Sequence, residues 1–263
     1  MATMAEQDGD RTMSVGRVFS RAFSTIGSNP LATFGVAFLF GTLPSLAINF
    51  ALRGQLLTAE TITLLGTAGT IAVGLFWVVI SVLLAMITQG ALVRATVAHS
   101  EGRKASFGES AMAGLSVALP LFLVGLLGAL GIMLGLVFLL VPGIILYVMW
   151  SVAAPALVEE RLGPVEALGR SRYLTKGARW RIFGLNLVIL VLYWMFSIGV
   201  VALFGDLNGS SDFQNMSVAL ILGSALVQTI TSVVWGVIQS SLYVDLRDWK
   251  DGPRTEKLAD IFA

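Results

Sequence analysis

The residues able to carry acid–base, metal or nucleophilic chemistry are scarce in this chain and avoid its apolar segments. The sequence has one histidine, His99, and no cysteine. Five long segments contain no Asp, Glu, Lys, Arg or His: 30–52, 66–93, 111–158, 182–205 and 216–244. Ionisable groups inside membrane helices mark ion or proton paths, and metal or hydrolytic sites need clustered His, Cys or carboxylates. We therefore predict no catalytic residue, no metal site, no cofactor and no proton relay.

Uncharged polar residues are found inside the apolar segments instead. On the last segment they form a stripe with helical spacing: Gln228, Ser232, Trp235, Gln239 and Tyr243. Three other segments contribute Asn49, Gln89 and Asn186. Two interpretations stay open. The side chains form hydrogen bonds between packed helices, or they line a polar groove that admits a lipid headgroup or another amphiphile.

Length and composition predict the elements that carry these residues. The chain has 263 residues, of which 56% are hydrophobic and 13% charged, against about 25% charged in soluble domains. A helix needs about 20 apolar residues to cross a bilayer, so four segments cross once and 111–158 crosses twice. We expect its turn in the glycine-rich stretch 128–135. The prediction is an all-α membrane bundle with six spans: 31–52, 68–94, 111–131, 136–157, 182–205 and 216–244.

A shorter helix is expected ahead of the first span. Residues 13–28 have apolar side chains at helical spacing, which is typical of an amphipathic surface helix. This helix either lies in the membrane surface or packs on the protein's own cytoplasmic face. The predicted organisation is a disordered tail, a single membrane domain and a cytoplasmic tail: 1–12, 13–247 and 248–263.

A weak internal repeat suggests how the bundle is built. Val15–Gly27 aligns with Val165–Gly177 without gaps, and the segment 106–119 has a similar amphipathic character. The chain would then consist of three units, each a surface helix followed by a membrane hairpin. Only four identical or similar positions support the alignment, so a chance similarity between amphipathic helices is the alternative.

The distribution of basic residues predicts the orientation. With the N-terminus in the cytoplasm, all of the 17 Lys and Arg residues except Arg53 fall on the cytoplasmic side. The positive-inside rule therefore predicts that both termini are cytoplasmic. The richest cytoplasmic segment, 154–185, contains Arg161, Arg170, Arg172, Lys176, Arg179 and Arg181.

That segment contains the signals of a short helix. Pro164 suits the first turn and Glu166 lies in the same turn, while Lys176 and Gly177 supply a basic last turn and a stop. We predict a helix over 164–176 between two spans. An aromatic residue between two arginines then marks the return to the bilayer, because this combination suits the headgroup layer: Arg179, Trp180 and Arg181.

The basic residues of this face are the candidate contacts to lipid headgroups or to a protein partner. The set is Arg94, Arg170, Arg172, Lys176, Arg179, Trp180, Arg181 and Arg247, with Arg103 nearby. Each basic side chain near an anionic surface contributes about 1 kcal/mol. The loop itself is expected to be structured by Glu159, Glu160, Pro164, Glu166, Gly177 and Asp245. The glutamates are close enough in sequence to pair with the arginines.

Three stretches resemble the glycerophosphoryl diester phosphodiesterase membrane-domain family. They are APALVEERLGPVEALGRSRYLTKGARWRIFGL, GALVRATVAHSEGRKASFGES and SLYVDLRDWKDG, at 154–185, 90–110 and 241–252. The resemblance implies a six-span module of the bacterial inner membrane. It does not imply phosphodiesterase activity, because in that family the chemistry belongs to a separate barrel domain that uses metal, histidine and carboxylates.

These observations favour a non-enzymatic, multi-pass protein of the bacterial cytoplasmic membrane. It would bind anionic phospholipid, a protein partner or a second copy of itself through the basic cytoplasmic face; nucleic acid is not expected. The alternative is a transporter or exporter of an amphipathic, lipid-like small molecule, which predicts a cavity opening toward Gln89, Asn186, Gln228 and Gln239. A membrane enzyme comes third and would require Glu159, Glu160 and Asp245 to converge on a metal.

Overall fold

The computed structural model describes residues 13–53, 59–204 and 217–252. Within these residues there is no strand, which confirms the all-α prediction. In chain order the elements are α1 (Val15–Ser28), α2 (Pro30–Val36), a π-helical stretch (Ala37–Thr42), α3 (Leu43–Arg53), α4 (Ala59–Ser100), α5 (Phe107–Phe138), α6 (Leu140–Met149), α7 (Ala153–Glu160), α8 (Pro164–Thr175), α9 (Arg179–Phe204) and α10 (Val218–Asp251). The predicted tail 1–12 and the residues after 252 lie outside the described part.

Six helical segments are long and apolar enough to cross a membrane, as predicted. They are Pro30–Phe50, Gly66–Ser100, Phe107–Phe138, Leu140–Glu160, Arg179–Phe204 and Val218–Asp251. Their surfaces expose large apolar side chains, such as Val137 at 80% and Leu203 at 77%. A water-exposed surface of this kind would be unstable, whereas hydrocarbon solvates it. The exposed band is therefore the lipid-facing surface of the bundle.

The turn between the third and fourth spans lies at Leu139, and the prediction of a turn within 128–135 is wrong. The helix α5 continues to Phe138, and Leu139 alone adopts an extended conformation before α6 begins. The glycines instead allow close contact between helices. A Cβ on Gly135 would lie 3.0 Å from the Cα of Gly143, so glycine lets α5 and α6 touch through their backbones. The third and fourth spans are therefore tightly packed.

The last span also differs from its prediction. Its helix begins close to the expected residue but continues to Asp251, so that 248–251 belong to α10 and not to a tail. Trp249 packs against the hydrophobic core, and Gly252, with a φ of 80°, ends the helix. This extra turn brings Asp251 to the cytoplasmic loop.

The two predicted surface helices are present, and α1 packs on the protein. Val18 and Ala22 of α1 are buried against the bundle, at 0% and 1% exposure, while Phe23 on the opposite side is 61% exposed. The helix α8 spans Pro164–Thr175 and is followed by Gly177 in a left-handed conformation. The third repeat unit has no separate surface helix, because the segment 106–119 forms the start of α5.

Two irregularities shape the interior of the bundle. The first span passes through the π-helical stretch Ala37–Thr42 just before Pro44. The fourth span is interrupted between α6 and α7, at Trp150–Val152. Breaks of this kind occur in membrane helices where the freed backbone is buried or lines a cavity. Both irregularities face the same region of α10.

Candidate functional site

A cavity of about 410 Å³ lies between the π-helical stretch, α3, α4, the α6–α7 break and α10. Its polar lining consists of uncharged side chains: Ser45, Ser81, Thr88, Gln89, Ser151, Gln228, Ser232 and Gln239. Apolar residues, among them Phe40, Met86 and Trp235, complete the wall. The volume lies in the range of small-molecule sites, about 300–1,000 Å³. We call this space the polar chamber.

Close contact between α4 and α10 sets the position of the glutamines. A Cβ on Gly236 would lie 2.5 Å from the Cδ1 of Leu92 and 3.3 Å from the Oε1 of Gln89. Glycine therefore lets the two helices approach at this level and places Gln89 beside the polar stripe of α10. Two turns earlier on α10, the hydroxyls of Thr42 and Thr229 are 2.6 Å apart and join the π-helical stretch to this helix.

The polar groups of the chamber are only partly satisfied. Gln239 Nε2 donates a hydrogen bond to Asn186 Oδ1 at 2.9 Å, and Gln228 Nε2 donates to Ser45 Oγ at 3.2 Å. Gln239 and Asn186 are 2% and 5% exposed. Nevertheless, Gln239 Oε1 and Asn186 Nδ2 have no hydrogen-bond partner among the described residues. Leaving a buried donor or acceptor unpaired costs about 1–3 kcal/mol per group.

Four of the five predicted intramembrane polar residues belong to the chamber or are bonded to it. Gln89, Gln228 and Gln239 line the chamber together, and Asn186 is joined to it through Gln239. Asn49 does not take part, because its Nδ2 donates to the carbonyl of Ser45 within the first span.

Other chamber residues were not predicted. Ser81 and Thr88 lie seven residues apart on α4, a spacing of two helical turns that a search for a second polar stripe would have found. Ser45 and Ser151 lie beside the two helix irregularities, and no pattern in the sequence predicts that these serines line the chamber.

Two apolar grooves adjoin the chamber. The first, of about 470 Å³, lies between α9 and α10 and is lined by residues such as Val201 and Leu220. The second, of about 290 Å³, lies mainly among α4, α5 and α6 and is lined by residues such as Gly128 and Tyr147. Trp235 lines the chamber and both grooves. We call these spaces the α9–α10 groove and the α5–α6 groove.

The cytoplasmic face is organised around Arg170. Its Nε donates to both oxygens of Glu160, at 2.9 and 2.8 Å, and its Nη2 donates to Asp251. Tyr243 donates its hydroxyl hydrogen to Glu160 Oε1 at 2.9 Å. Burial lowers the pKa of Arg170, but the hydrogen bonds and charges of Asp251 and Glu160 outweigh it and raise the pKa above its ordinary value. Arg170 is thus a charged link between α7, α8 and α10.

A second link attaches α1. Asp245 is 4% exposed and accepts hydrogen bonds from the backbone N–H of Ser14 and from Nε of Arg17, at 3.1 and 3.0 Å. Arg181 donates through Nη1 to the carbonyl of Met13 at 2.8 Å. Asp245 of α10 and Arg181 of α9 therefore hold the start of α1. They bind the two residues that precede the helix, Met13 and Ser14, and Asp245 also binds Arg17 in its first turn.

The other acidic residues of the loop have separate partners. Glu160 pairs with an arginine as predicted, but Glu166 accepts a hydrogen bond from the N–H of Gly163 at 3.0 Å and caps its own helix. Across the membrane hairpin, Arg94 Nη2 donates to Glu109 at 2.9 Å. Among the described residues no group of three or more His, Cys, Asp or Glu could hold a metal ion.

The remaining residues of the predicted headgroup-binding set differ in burial. Arg172, Lys176 and Trp180 are exposed, with Trp180 at 86%. In contrast, Arg247 has an 11% exposed side chain and shares one carboxylate, Asp248, with Arg21. Three nitrogens of this pair, Arg21 Nη1 and Arg247 Nε and Nη1, are buried and have no hydrogen-bond partner among the described residues.

Six apolar spans around an uncharged polar chamber define a multi-pass membrane protein. A family model described as domain of unknown function (DUF7847) matches residues 79–246, and the chain belongs to this family. The matched region contains the chamber walls from α4 to α10 and the whole cytoplasmic loop. No curated protein and no solved structure matches the chain. The resemblance to the phosphodiesterase membrane-domain family stays a prediction.

Proposed function

We propose that this protein is a non-enzymatic transporter of a lipid-like, amphipathic molecule in the bacterial cytoplasmic membrane. The observation that carries the proposal is the polar chamber, about 410 Å³ of space whose wall carries the uncharged amides of Gln89, Gln228 and Gln239. Polar groups in a membrane interior are costly unless they are paired. A bound polar headgroup would form hydrogen bonds with the amides and hydroxyls of this wall.

The apolar grooves supply the second half of an amphiphile site. They open from the chamber on either side of Trp235, so a molecule with its headgroup among the glutamines finds apolar walls for its hydrocarbon part. A water-soluble substrate would gain nothing from these walls. The combination therefore favours a lipid-like molecule.

The extent of the cavities supports movement across the bilayer. Their lining runs along α10 from Leu220 to Gln239, which corresponds to about 28 Å at 1.5 Å per residue. The hydrocarbon core of a bilayer is about 30 Å thick. Adjoining cavities thus follow most of the membrane thickness, as a transport route requires.

Reconstitution into phospholipid vesicles tests this proposal. Vesicles with a trace of fluorescent, NBD-labelled diacyl lipid are treated with dithionite, which bleaches only the outer leaflet. We expect the protein to make additional label accessible within minutes compared with protein-free vesicles, and Gln239→Leu to slow this. Asn49→Leu is the matched control, because it removes a polar side chain outside the chamber. Identical bleaching with and without protein, together with no co-purified lipid, would overturn the proposal.

We also propose a second, independent role for the cytoplasmic face, the binding of an anionic phospholipid headgroup. The specific observation is the Arg21–Asp248–Arg247 cluster, where two guanidiniums share one carboxylate and the Arg21 side chain stays 26% exposed. A phosphate oxygen is the acceptor that such donors prefer. Arg170 is not part of this role, because its own carboxylate partners already bind it.

Native mass spectrometry of protein extracted in mild detergent tests the second role. A retained anionic phospholipid that is lost on Arg21→Gln supports it. Retention of the same mixed lipid by the variant and the wild type would instead direct attention to a protein partner, which crosslinking in cells would identify.

A further inference from the structure

We infer that the lipid held by the polar chamber has an uncharged, hydroxyl-rich headgroup, as in a glycosylated diacylglycerol. This inference rests on the proposed function and deepens it by naming the ligand class. It starts from the chemistry of the chamber wall, where none of the described lining residues is Asp, Glu, Lys, Arg or His. The basic clusters around Arg170 and Arg247 are not part of this wall.

A charged headgroup does not fit such a wall. A phosphate transferred from water into a low-dielectric interior needs a cation or several charge-assisted donors to offset its lost hydration. The chamber offers amides and hydroxyls alone. An uncharged headgroup has a much smaller desolvation cost, and hydrogen bonds to the amides and hydroxyls can offset it.

The side chains of the wall define what the headgroup must offer. Gln239 lines the chamber, and its amide has both a donor and an acceptor. A sugar hydroxyl can donate and accept at the same time. Gln89, Gln228 and Ser232 add further amides and a hydroxyl on the same wall. A set of vicinal hydroxyls therefore complements the chamber better than an ester or an alkyl group.

The grooves account for the hydrocarbon part. The α9–α10 groove and the α5–α6 groove offer about 470 and 290 Å³ of space next to the chamber. Burial of methylene groups against their apolar side chains contributes affinity. The α9–α10 groove also carries the hydroxyls of Ser197, Ser224 and Thr231, so we expect the α5–α6 groove to be the part that does not distinguish headgroups. Headgroup selectivity and total affinity should therefore respond to different substitutions.

The test compares two lipids with identical acyl chains, a glucosyl diacylglycerol and a phosphatidylglycerol. Binding of each to the purified full-length protein is measured by native mass spectrometry and by competition. We expect at least about tenfold preference for the glucosyl lipid, which corresponds to one or two net hydrogen bonds. The double variant Gln239→Leu/Asn186→Leu should abolish this preference.

Two further variants separate the possible outcomes. Gly128→Leu adds a side chain in the α5–α6 groove, where a Cβ meets no atom within 4 Å, and should weaken both lipids equally. Gly74→Leu, at an exposed glycine with equally open space, is the control and should change neither.

Equal binding of the two lipids, or preference for phosphatidylglycerol, would overturn the headgroup inference while leaving lipid transport intact. If neither lipid bound and neither crossed the vesicle membrane, both the inference and the proposed function would be wrong.

Discussion

The cytoplasmic face and the polar chamber differ in the charge of their polar groups and in how those groups are paired. At the cytoplasmic face Arg170 is bound by carboxylates of α7 and α10, and Asp245 is bound by Ser14 and Arg17 at the start of α1. Beside the chamber, Gln239 and Asn186 bind each other and leave one group each unpaired. Arg170 and Asp245 thus hold helices together, whereas unpaired buried groups remain beside the chamber and in the Arg21–Asp248–Arg247 cluster.

This difference yields a general criterion for reading such proteins. A buried polar group that is fully paired contributes to the fold, and replacing it should reduce stability. A buried polar group without a partner lowers stability and persists where binding requires it. Substitutions in the two regions should therefore have opposite effects on stability and on ligand binding.

The largest effect on stability is expected for Arg170→Met. Removing the guanidinium leaves the carboxylates of Glu160 and Asp251 without their shared cation, with side-chain exposures of only 22% and 21%, and among the described residues Glu160 keeps only its hydrogen bond from Tyr243. Breaking a fully buried pair costs about 3–5 kcal/mol, and partial exposure reduces this to about 2–4 kcal/mol. Thermal unfolding in detergent, followed by tryptophan fluorescence, measures the loss.

The matched control for this prediction is Arg172→Met, which removes the same charge from an exposed position of the same helix. Surface substitutions of this kind change stability by less than about 0.5 kcal/mol. Equal losses in the two variants would contradict a linking role of Arg170. Lipid translocation should survive in the folded fraction of both.

A smaller effect is expected for Asp245→Asn. The neutral amide weakens the contacts to Arg17 and to the N–H of Ser14, and hydrogen bonds to a charged group contribute about 1.5–3 kcal/mol. We expect a loss of about 1–2 kcal/mol and faster hydrogen exchange in α1. Asp248→Asn, at a 32% exposed carboxylate, should cost less than about 1 kcal/mol. Unchanged exchange in α1 would show that apolar packing alone holds this helix.

The sequence was sufficient to predict the six spans, since an uncharged apolar stretch of sufficient length admits few other structures. It also predicted α8, because Pro164 and Gly177 mark the two ends of that helix by their backbone preferences. The turn predicted within 128–135 was wrong because it rested on the glycines of α5. Glycine suits a turn and a close helix contact equally well, and only the position of the neighbouring helix decides between them.

The Arg170 pairing and the polar chamber were harder to predict, because their parts come from distant positions in the chain. Arg170 and Asp251 are 81 residues apart, so no local pattern indicates that they pair. The stripe on α10 was visible, but most of the chamber wall comes from other helices and from the two helix breaks. Whether a polar stripe is paired depends on these neighbours, so the two interpretations of the stripe could not be separated.

Substitutions in the chamber should change the unfolding free energy in the opposite direction to substitutions of the ion pairs. In Gln239→Leu/Asn186→Leu both partners of one hydrogen bond and both unpaired groups are replaced by apolar side chains. Such a replacement is nearly neutral or stabilising, so we expect the unfolding free energy to stay within about 1 kcal/mol or to rise. Translocation of labelled lipid should fall at the same time. A destabilised variant with normal translocation would remove the distinction between the two regions.

The smallest effect on stability is expected for Arg21→Gln, and it tests whether the cytoplasmic face has a binding site of its own. The contact between Arg21 and Asp248 is 3.8 Å long and partly exposed, so its loss should cost less than about 1 kcal/mol. One basic side chain near an anionic headgroup contributes about 1 kcal/mol, and retention of anionic lipid should fall about fivefold. Arg172→Gln removes the same charge from the same face without touching the cluster. If both variants lose lipid equally, the face attracts headgroups through its net charge alone; if only Arg21→Gln does, the unpaired donors around Asp248 form a site.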